Sequence, residues 1–214
     1  MEDKLSRLHE LISAWPGLVS DPDPALVRDG LALLPHLGGA RRLIDVGSGG
    51  GLPGLPIAIA RPDLDVVLLE ANQRKAAFLT QAAWQLDLPR VVVVAERAED
   101  AGRDPRWREG FDVATARALA AMATLAELCL PFVRPGGRLL AMKADSPGLE
   151  AEIAAGKAAV GMLGGAYAGS AQAVTDARSH GVIVIVAKLT ATPDEYPRRS
   201  GLPAHRPLGV EREK

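Results

Sequence analysis

Leu5, Leu8, Leu11 and Ile12 recur at helical spacing and predict an amphipathic helix over residues 2–14. Trp15-Pro16-Gly17 ends it, and Asp21-Pro22-Asp23-Pro24 reads as a turn and cap for a second helix reaching Pro35. From Arg41 onward short apolar runs alternate with helical patterns. Strands are expected to end at Val46, Glu70 and Ala95, with a fourth over Phe111–Ala114 and a fifth over Gly137–Met142. Helices are expected over 53–60, 73–86, near 98–104, 118–132 and near 147–161, and Pro135-Gly136-Gly137 reads as a turn. Two last strands fall near 167–174 and 181–189. The run Val182-Ile183-Val184-Ile185-Val186 is continuously apolar, as in a strand covered on both faces. This alternation predicts an α/β fold: a Rossmann-like, mostly parallel sheet with right-handed crossovers and an antiparallel hairpin at one edge. Seven strands are expected in all. Residues 1–40 form a helical extension packing on a core domain of residues 41–214.

The densest chemical signal lies between the first strand and its helix, in Asp45-Val46-Gly47-Ser48-Gly49-Gly50-Gly51-Leu52-Pro53-Gly54. Glycine admits positive φ and lets backbone approach a ligand closely, and a strand–loop–helix junction is where α/β sheets hold nucleotide-like cofactors. The dinucleotide spacing fails from Gly47, because its sixth position is Leu52. It passes from Gly49 only with Pro53 inside the loop. The frame Asp45-x-Gly47-x-Gly49-x-Gly51 uses every feature and resembles the pattern of S-adenosylmethionine (SAM) enzymes, whose seven-stranded methyltransferase sheet has the strand arrangement expected above. A dinucleotide brings a pyrophosphate to the helix N-terminus, whereas SAM brings a sulfonium cation, so a carboxylate near the loop is useful.

Glu70 ends the second apolar run, about twenty residues beyond the loop, where an acid can accept the ribose hydroxyls of an adenosine. It serves SAM and NAD alike, so it does not separate the two.

Composition narrows the setting. The chain has 214 residues, 48% of them hydrophobic, enough for one α/β domain with a substantial core. Its single cysteine, Cys129, lies in an apolar helical stretch and excludes a disulfide framework. The charged N-terminus lacks a signal peptide's apolar region, and no apolar run is long enough to span a bilayer. These features predict a cytoplasmic protein that uses no membrane. The net charge of −1 excludes a grip on nucleic acid by charge alone, yet residues 196–214 hold five Lys/Arg against two Glu. His9, His36, His180 and His205 form no cluster, and no spacing suggests a metal site.

The glycine loop, taken with Leu55-Pro56, resembles that of the RsmG (GidB) family, methyltransferases that modify N7 of one guanine in bacterial 16S (small-subunit) rRNA. Further segments are similar in the same order. They are Leu69-Glu70 with Arg74-Lys75-Ala76-Ala77-Phe78-Leu79, then Glu96-Arg97-Ala98-Glu99, then Phe111-Asp112-Val113-Ala114-Thr115-Ala116-Arg117-Ala118-Leu119-Ala120. Lys143 follows the fifth strand, and Tyr196-Pro197-Arg198-Arg199-Ser200-Gly201-Leu202-Pro203 with Arg206-Pro207-Leu208 matches the C-terminal signature. The likeness covers about residues 40–210. Residues 15–30 depart from the family pattern, and Ala144 stands where glycine is usual.

The resemblance implies SAM as cofactor, with Gly47, Ser48, Gly49 and Leu52 along its methionine end, Glu70 at the ribose and Ala98 and Glu99 at the adenine. It implies that Arg117 contacts the methionine carboxylate or the RNA, and that Lys143 helps position the reactants. Arg74, Lys75, Arg97, Arg198, Arg199 and Arg206 are the candidate RNA contacts, and the partner is 16S rRNA or the small ribosomal subunit. The enzyme is expected to be monomeric. A different SAM enzyme acting on a small molecule or protein, a SAM-binding module without turnover, and an NAD enzyme are the competing readings.

Overall fold

Alternating side chains along β1 (Arg42–Val46) divide the interior in two: Leu43 and Asp45 face one side of the sheet, Ile44 and Val46 the other. The computed structural model describes residues 1–18, 23–173, 175 and 181–209. Residues Asp21 and Pro22 of the expected turn, residue 174 at the end of an expected strand, and His180 lie outside the described residues.

The elements run α1 (Glu2–Ala14), α2 (Pro24–Asp29), a 3-10 segment (Gly30–His36), β1, α3 (Gly54–Ala60), β2 (Asp65–Leu69), α4 (Gln73–Gln85), β3 (Val91–Val94), α5 (Ala98–Ala101), β4 (Phe111–Arg117), α6 (Met122–Cys129), β5 (Val133–Ala144), α7 (Leu149–Met162), β6 (Gly165–Gln172), β7 (Gly181–Lys188) and α8 (Leu202–His205). Seven strands lie in the order β3-β2-β1-β4-β5-β7-β6. Pairing is parallel from β3 to β5 and antiparallel from β5 through β7 to β6, the expected edge hairpin. The Val182–Val186 run is central to that hairpin and buried on both faces apart from a partly exposed Ile185.

On one face Leu5, Leu8 and Ile12 of α1 join Leu55 and Ile57 of α3 and Phe78 and Leu79 of α4 over Leu43, Val66 and Leu68. The N-terminal helices therefore share the core of the sheet. Gly30 shows how tightly: a Cβ there would lie 2.9 Å from the Cβ of Pro53, so only glycine lets this segment rest on the glycine loop. On the other face α6 and α7 cover Ile44, Val46, Ala114 and Ala141. Cys129 is buried there as a small hydrophobe.

Three departures from the sequence reading reshape the elements beside the cleft and under the N-terminal layer, while others, such as α5 ending at Ala101 and β6 spanning Gly165–Gln172, shift an end by two or three residues. β4 continues past Ala114 to Arg117, because Thr115, Ala116 and Arg117 pair with Leu140, Ala141 and Met142, and α6 consequently starts at Met122 rather than 118. Pro135-Gly136-Gly137 does not separate β5 from what precedes it. It is absorbed as a bulge, with Phe111 opposite Val133 and Val113 already opposite Arg138. The second helix tightens to 3-10 geometry after Asp29.

Candidate functional site

The strand order reverses between β1 and β4, and a cleft opens at the C-terminal ends of the strands there, the place where open α/β sheets hold ligands. Its volume is about 640 Å³, and its walls come from the loops after β1, β2, β3 and β4 together with Asp23 and Leu26 of the N-terminal layer.

The loop after β1 is shaped by its own backbone. Gly47 (φ +71°) and Gly51 (φ +85°) take left-handed conformations. A Cβ on either would strike a neighbour, Leu119 at 2.6 Å for Gly47 and Leu55 at 2.3 Å for Gly51. A Cβ on Gly49 would meet nothing nearer than the Gly47 carbonyl oxygen at 3.8 Å, so this glycine leaves space on the cleft side. The Gly47 and Ser48 N–H groups donate to the Leu69 carbonyl, and the Gly49 N–H donates to Oε2 of Glu70 at 2.8 Å. Oε1 of Glu70 accepts the Asn72 N–H at 2.8 Å. The acid at the end of β2 thus clamps the loop that follows β1.

Asp45, expected to present charge to a ligand, does something else. It shares the face of Leu43 and lies beneath α3, outside the cleft lining. Its Oδ2 accepts the Gly54 N–H at 3.1 Å, and its Oδ1 accepts the Thr115 hydroxyl at 2.9 Å. Burial raises its pKa to about 6, despite hydrogen bonds from Thr115, Gly54 and Ser48 and the charge of Arg117, which pull the other way. Asp45 is a buried cap on the start of α3.

Glu99 stands in the cleft wall that follows β3, at the start of α5. Its side chain is 4% exposed, and Oε1 accepts the Gly201 N–H at 2.8 Å and the Arg97 guanidinium at 3.2 Å. Burial alone would raise its pKa, but the hydrogen bonds from Gly201, its own backbone and Arg97 outweigh burial and hold the carboxyl below its ordinary value. Gly47, Ser48, Gly49, Leu52, Glu70, Ala98, Glu99 and Arg117 all line this one cleft, as do Lys75 and Arg97.

The other expected residues lie elsewhere. Lys143 has the opposite parity to Met142 along β5, so it points toward α7. There its Nζ donates to the Ala120 carbonyl at 2.6 Å and to Glu152 at 2.7 Å, while Glu152 also accepts the Met122 N–H. It braces the turn after β4 rather than lining the cleft. Arg198 forks onto Glu127, a wholly buried carboxylate, through contacts of 2.6–3.2 Å. Arg74 reaches the Pro16 carbonyl at 3.1 Å from an exposed position, and Arg199 and Arg206 are exposed outside the cleft. Leu119, Leu128, Glu96, Asp23 and Leu26 also line the cleft, though none was assigned a role there from sequence. Asp23 carried a signal only as the cap of α2, where its side chain accepts the Ala25 N–H, and Glu96 and Leu119 only as members of the family-like segments.

Residues 24–176 match the GidB family, described as rRNA small subunit methyltransferase G. The chain belongs to this family. It is 46% identical over 173 residues to the ribosomal RNA small subunit methyltransferase G of Moorella thermoacetica, covering 79% of this chain and 70% of that one. Against the protein of the same name from Roseiflexus castenholzii it is 46% identical over 167 residues, covering 78% and 70%. Among solved structures it shares its fold with an O-methyltransferase from Bacillus cereus in complex with SAH. The TM-score is 0.62 at 20% identity, over 88% of this chain and 92% of that one. As a member of the GidB family the chain is a SAM-dependent methyltransferase. Among the described residues no helix is long and apolar enough to cross a membrane.

Proposed function

We propose that this protein transfers a methyl group from SAM to N7 of a guanine in 16S rRNA, acting in the cytoplasm as a monomer. The observation that carries the reading is the convergence of the glycine loop, Glu70, Ala98, Glu99 and Arg117 on one cleft at the sheet's switch point, in a chain of the GidB family.

The residues present fit the cofactor. The open side of Gly49, beside Ser48 and Leu52, leaves room for the amino-acid end. Glu70 and Glu99, after the neighbouring strands β2 and β3, are acceptors in the same cleft, suited to ribose hydroxyls and an adenine amino group. The backbone of Ala98, at the first turn of α5, supplies polar groups beside the same base, and Leu69 and Leu128 give apolar surface. Four carboxylates (Asp23, Glu70, Glu96 and Glu99) stand against Lys75, Arg97 and Arg117, which favours a ligand bearing positive charge.

SAM, when bound, supplies an electrophilic methyl on a cationic sulfur. Guanine N7 carries a lone pair and no proton, so this chain needs no general base. Its task is alignment of nucleophile, methyl carbon and leaving sulfur. Arg117, at the end of β4, and Leu119, on the turn after it and packed against Gly47, line the cleft beside the glycine loop and frame that approach. Lys143 fixes the same turn from behind through the Ala120 carbonyl. On the RNA side, Lys75 and Arg97 at the cleft and the exposed Arg74 and Arg199 would meet phosphates, which hold position while the pocket selects the base.

The test is transfer of labelled methyl from SAM to small subunits, or to naked 16S rRNA, from a strain lacking this activity. Label at a single guanine N7 is expected. No transfer, or transfer to another position, overturns the proposal.

A further inference from the structure

The C-terminal segment Tyr196–Leu208, which includes α8, lines no part of the cleft, yet it is fastened along the wall that carries Ala98 and Glu99. Tyr196 is buried in the core beside α6, and its carbonyl accepts Arg108 Nη1 at 2.7 Å. Pro197 packs on the end of α5 so closely that a Cβ on Gly102 would lie 3.0 Å from its Cγ. The Arg198 fork takes both oxygens of Glu127 in α6, the Arg198 N–H adds a bond to the same carboxylate, and Arg198 Nη2 also reaches the Arg206 carbonyl at 2.6 Å. Ser200 donates to Asp100 in α5 at 3.0 Å, and Thr124 in α6 donates to the Pro203 carbonyl at 3.0 Å. Between these anchors Gly201 takes a left-handed conformation (φ +82°) that aims its N–H at Oε1 of Glu99.

We infer that this segment is a positioning strap for the cofactor: Gly201, held by the Arg198–Glu127 fork and the Ser200–Asp100 bond, fixes the carboxylate of Glu99 for adenosine recognition. The inference rests on the reading of the cleft as the SAM site. α5 is a single turn of four residues and gives Glu99 little rigidity of its own. Burying a charged carboxylate needs hydrogen bonds that hold it in place, and the Gly201 N–H supplies one from a part of the chain 102 residues away. The arginine that belongs most visibly to this strap, Arg198, is consequently turned inward and is not an RNA contact.

The experiment measures S-adenosylhomocysteine affinity by calorimetry on the full chain, for wild type, Gly201→Ala, Ser200→Ala, Glu99→Ala and the Gly201→Ala/Glu99→Ala double variant. Gly201→Ala strains the left-handed position and moves the N–H. Affinity should fall about tenfold, as expected for loss of a hydrogen bond to a charged group. Ser200→Ala should fold normally and weaken binding severalfold. The double variant should bind no more weakly than Glu99→Ala alone, because the strap acts through that carboxylate. A merely structural strap would instead give independent, multiplying losses. Unchanged affinity in Gly201→Ala and Ser200→Ala, or multiplying losses in the double variant, overturns the inference while leaving the cofactor reading intact. Failure of the wild-type protein to bind S-adenosylhomocysteine overturns both. Should Gly201→Ala not fold, Ser200→Ala paired with Glu99→Ala completes the same cycle.

Discussion

The guanidinium of Arg117, at the end of β4, lies 3.2 Å from the carboxylate of Asp29, at the end of α2, and joins the sheet to the N-terminal helices at the mouth of the cleft. Asp29 is wholly buried, and its Oδ1 also accepts the Thr175 hydroxyl at 3.0 Å, while Arg117 donates to the Leu26 carbonyl at 3.3 Å. Leu26 itself lines the cleft, so this pair sets where the N-terminal layer stands over the proposed site. Removing one partner of a buried ion pair leaves the other uncompensated. Asp29→Asn should therefore cost about 3 kcal/mol of stability and lower methyl transfer. Urea denaturation and the transfer assay check both, and a variant that keeps wild-type stability and turnover would remove the pair from this role.

Glu70 has a different place, at the cleft and partly exposed. It accepts two backbone N–H groups that position the glycine loop and the start of α4. Glu70→Ala should weaken S-adenosylhomocysteine binding at least tenfold, with a stability loss of only about 1–2 kcal/mol. Calorimetry beside a thermal melt distinguishes this from general unfolding, in which affinity and stability would fall together.

Asp45 predicts a pH dependence of unusual sign. Its folded pKa of about 6 lies above the ordinary value of 3.8, so the native state holds its proton more tightly than the unfolded chain. As pH falls from 7 through 6 toward 4 this group adds stability, up to about 3 kcal/mol, and the gain is lost again as pH rises through 6. Asp45→Asn keeps an acceptor for the Gly54 N–H, and Thr115 can rotate to accept from the new amide. The unfolding free energy of wild type minus that of Asp45→Asn should rise between pH 7 and pH 4. A difference that stays flat across that interval refutes the assignment.

The two adjacent arginines of the C-terminal segment should behave unlike each other. Arg198→Ala strands the buried Glu127 carboxylate and should cost about 3 kcal/mol. Arg199→Ala, at an exposed position, should leave stability unchanged. It should weaken rRNA binding and reduce the salt slope of that binding by about 1. Thermal melts and filter binding across a salt series separate the two, and equal effects from both variants would contradict the structure.

Much of this protein is written locally. The period of apolar residues located all seven strands, since a buried strand must show an apolar run and a covering helix must show an apolar stripe. The glycine loop and Glu70 were legible because short-range spacing places them at the ends of consecutive strands, and the Ala98-Glu99 pair was legible through the resemblance to the RsmG family. The long-range partners were not legible. Arg117 and Lys143 look alike as cations at strand ends, but Arg117 shares the face of Thr115 and turns to Asp29, while Lys143 takes the opposite face and turns to Glu152. Arg198 and Arg199 are neighbours, and a carboxylate 71 residues away draws one of them inward. Asp45 reads as an acid for a cationic ligand until Gly54 and Thr115 close over it. Sequence alone determined the fold, the cofactor loop and the family. The tertiary structure decided which charged side chains line the cleft and which hold the scaffold, because a buried charge is satisfied by whichever partner the packing brings to it, however distant in the chain.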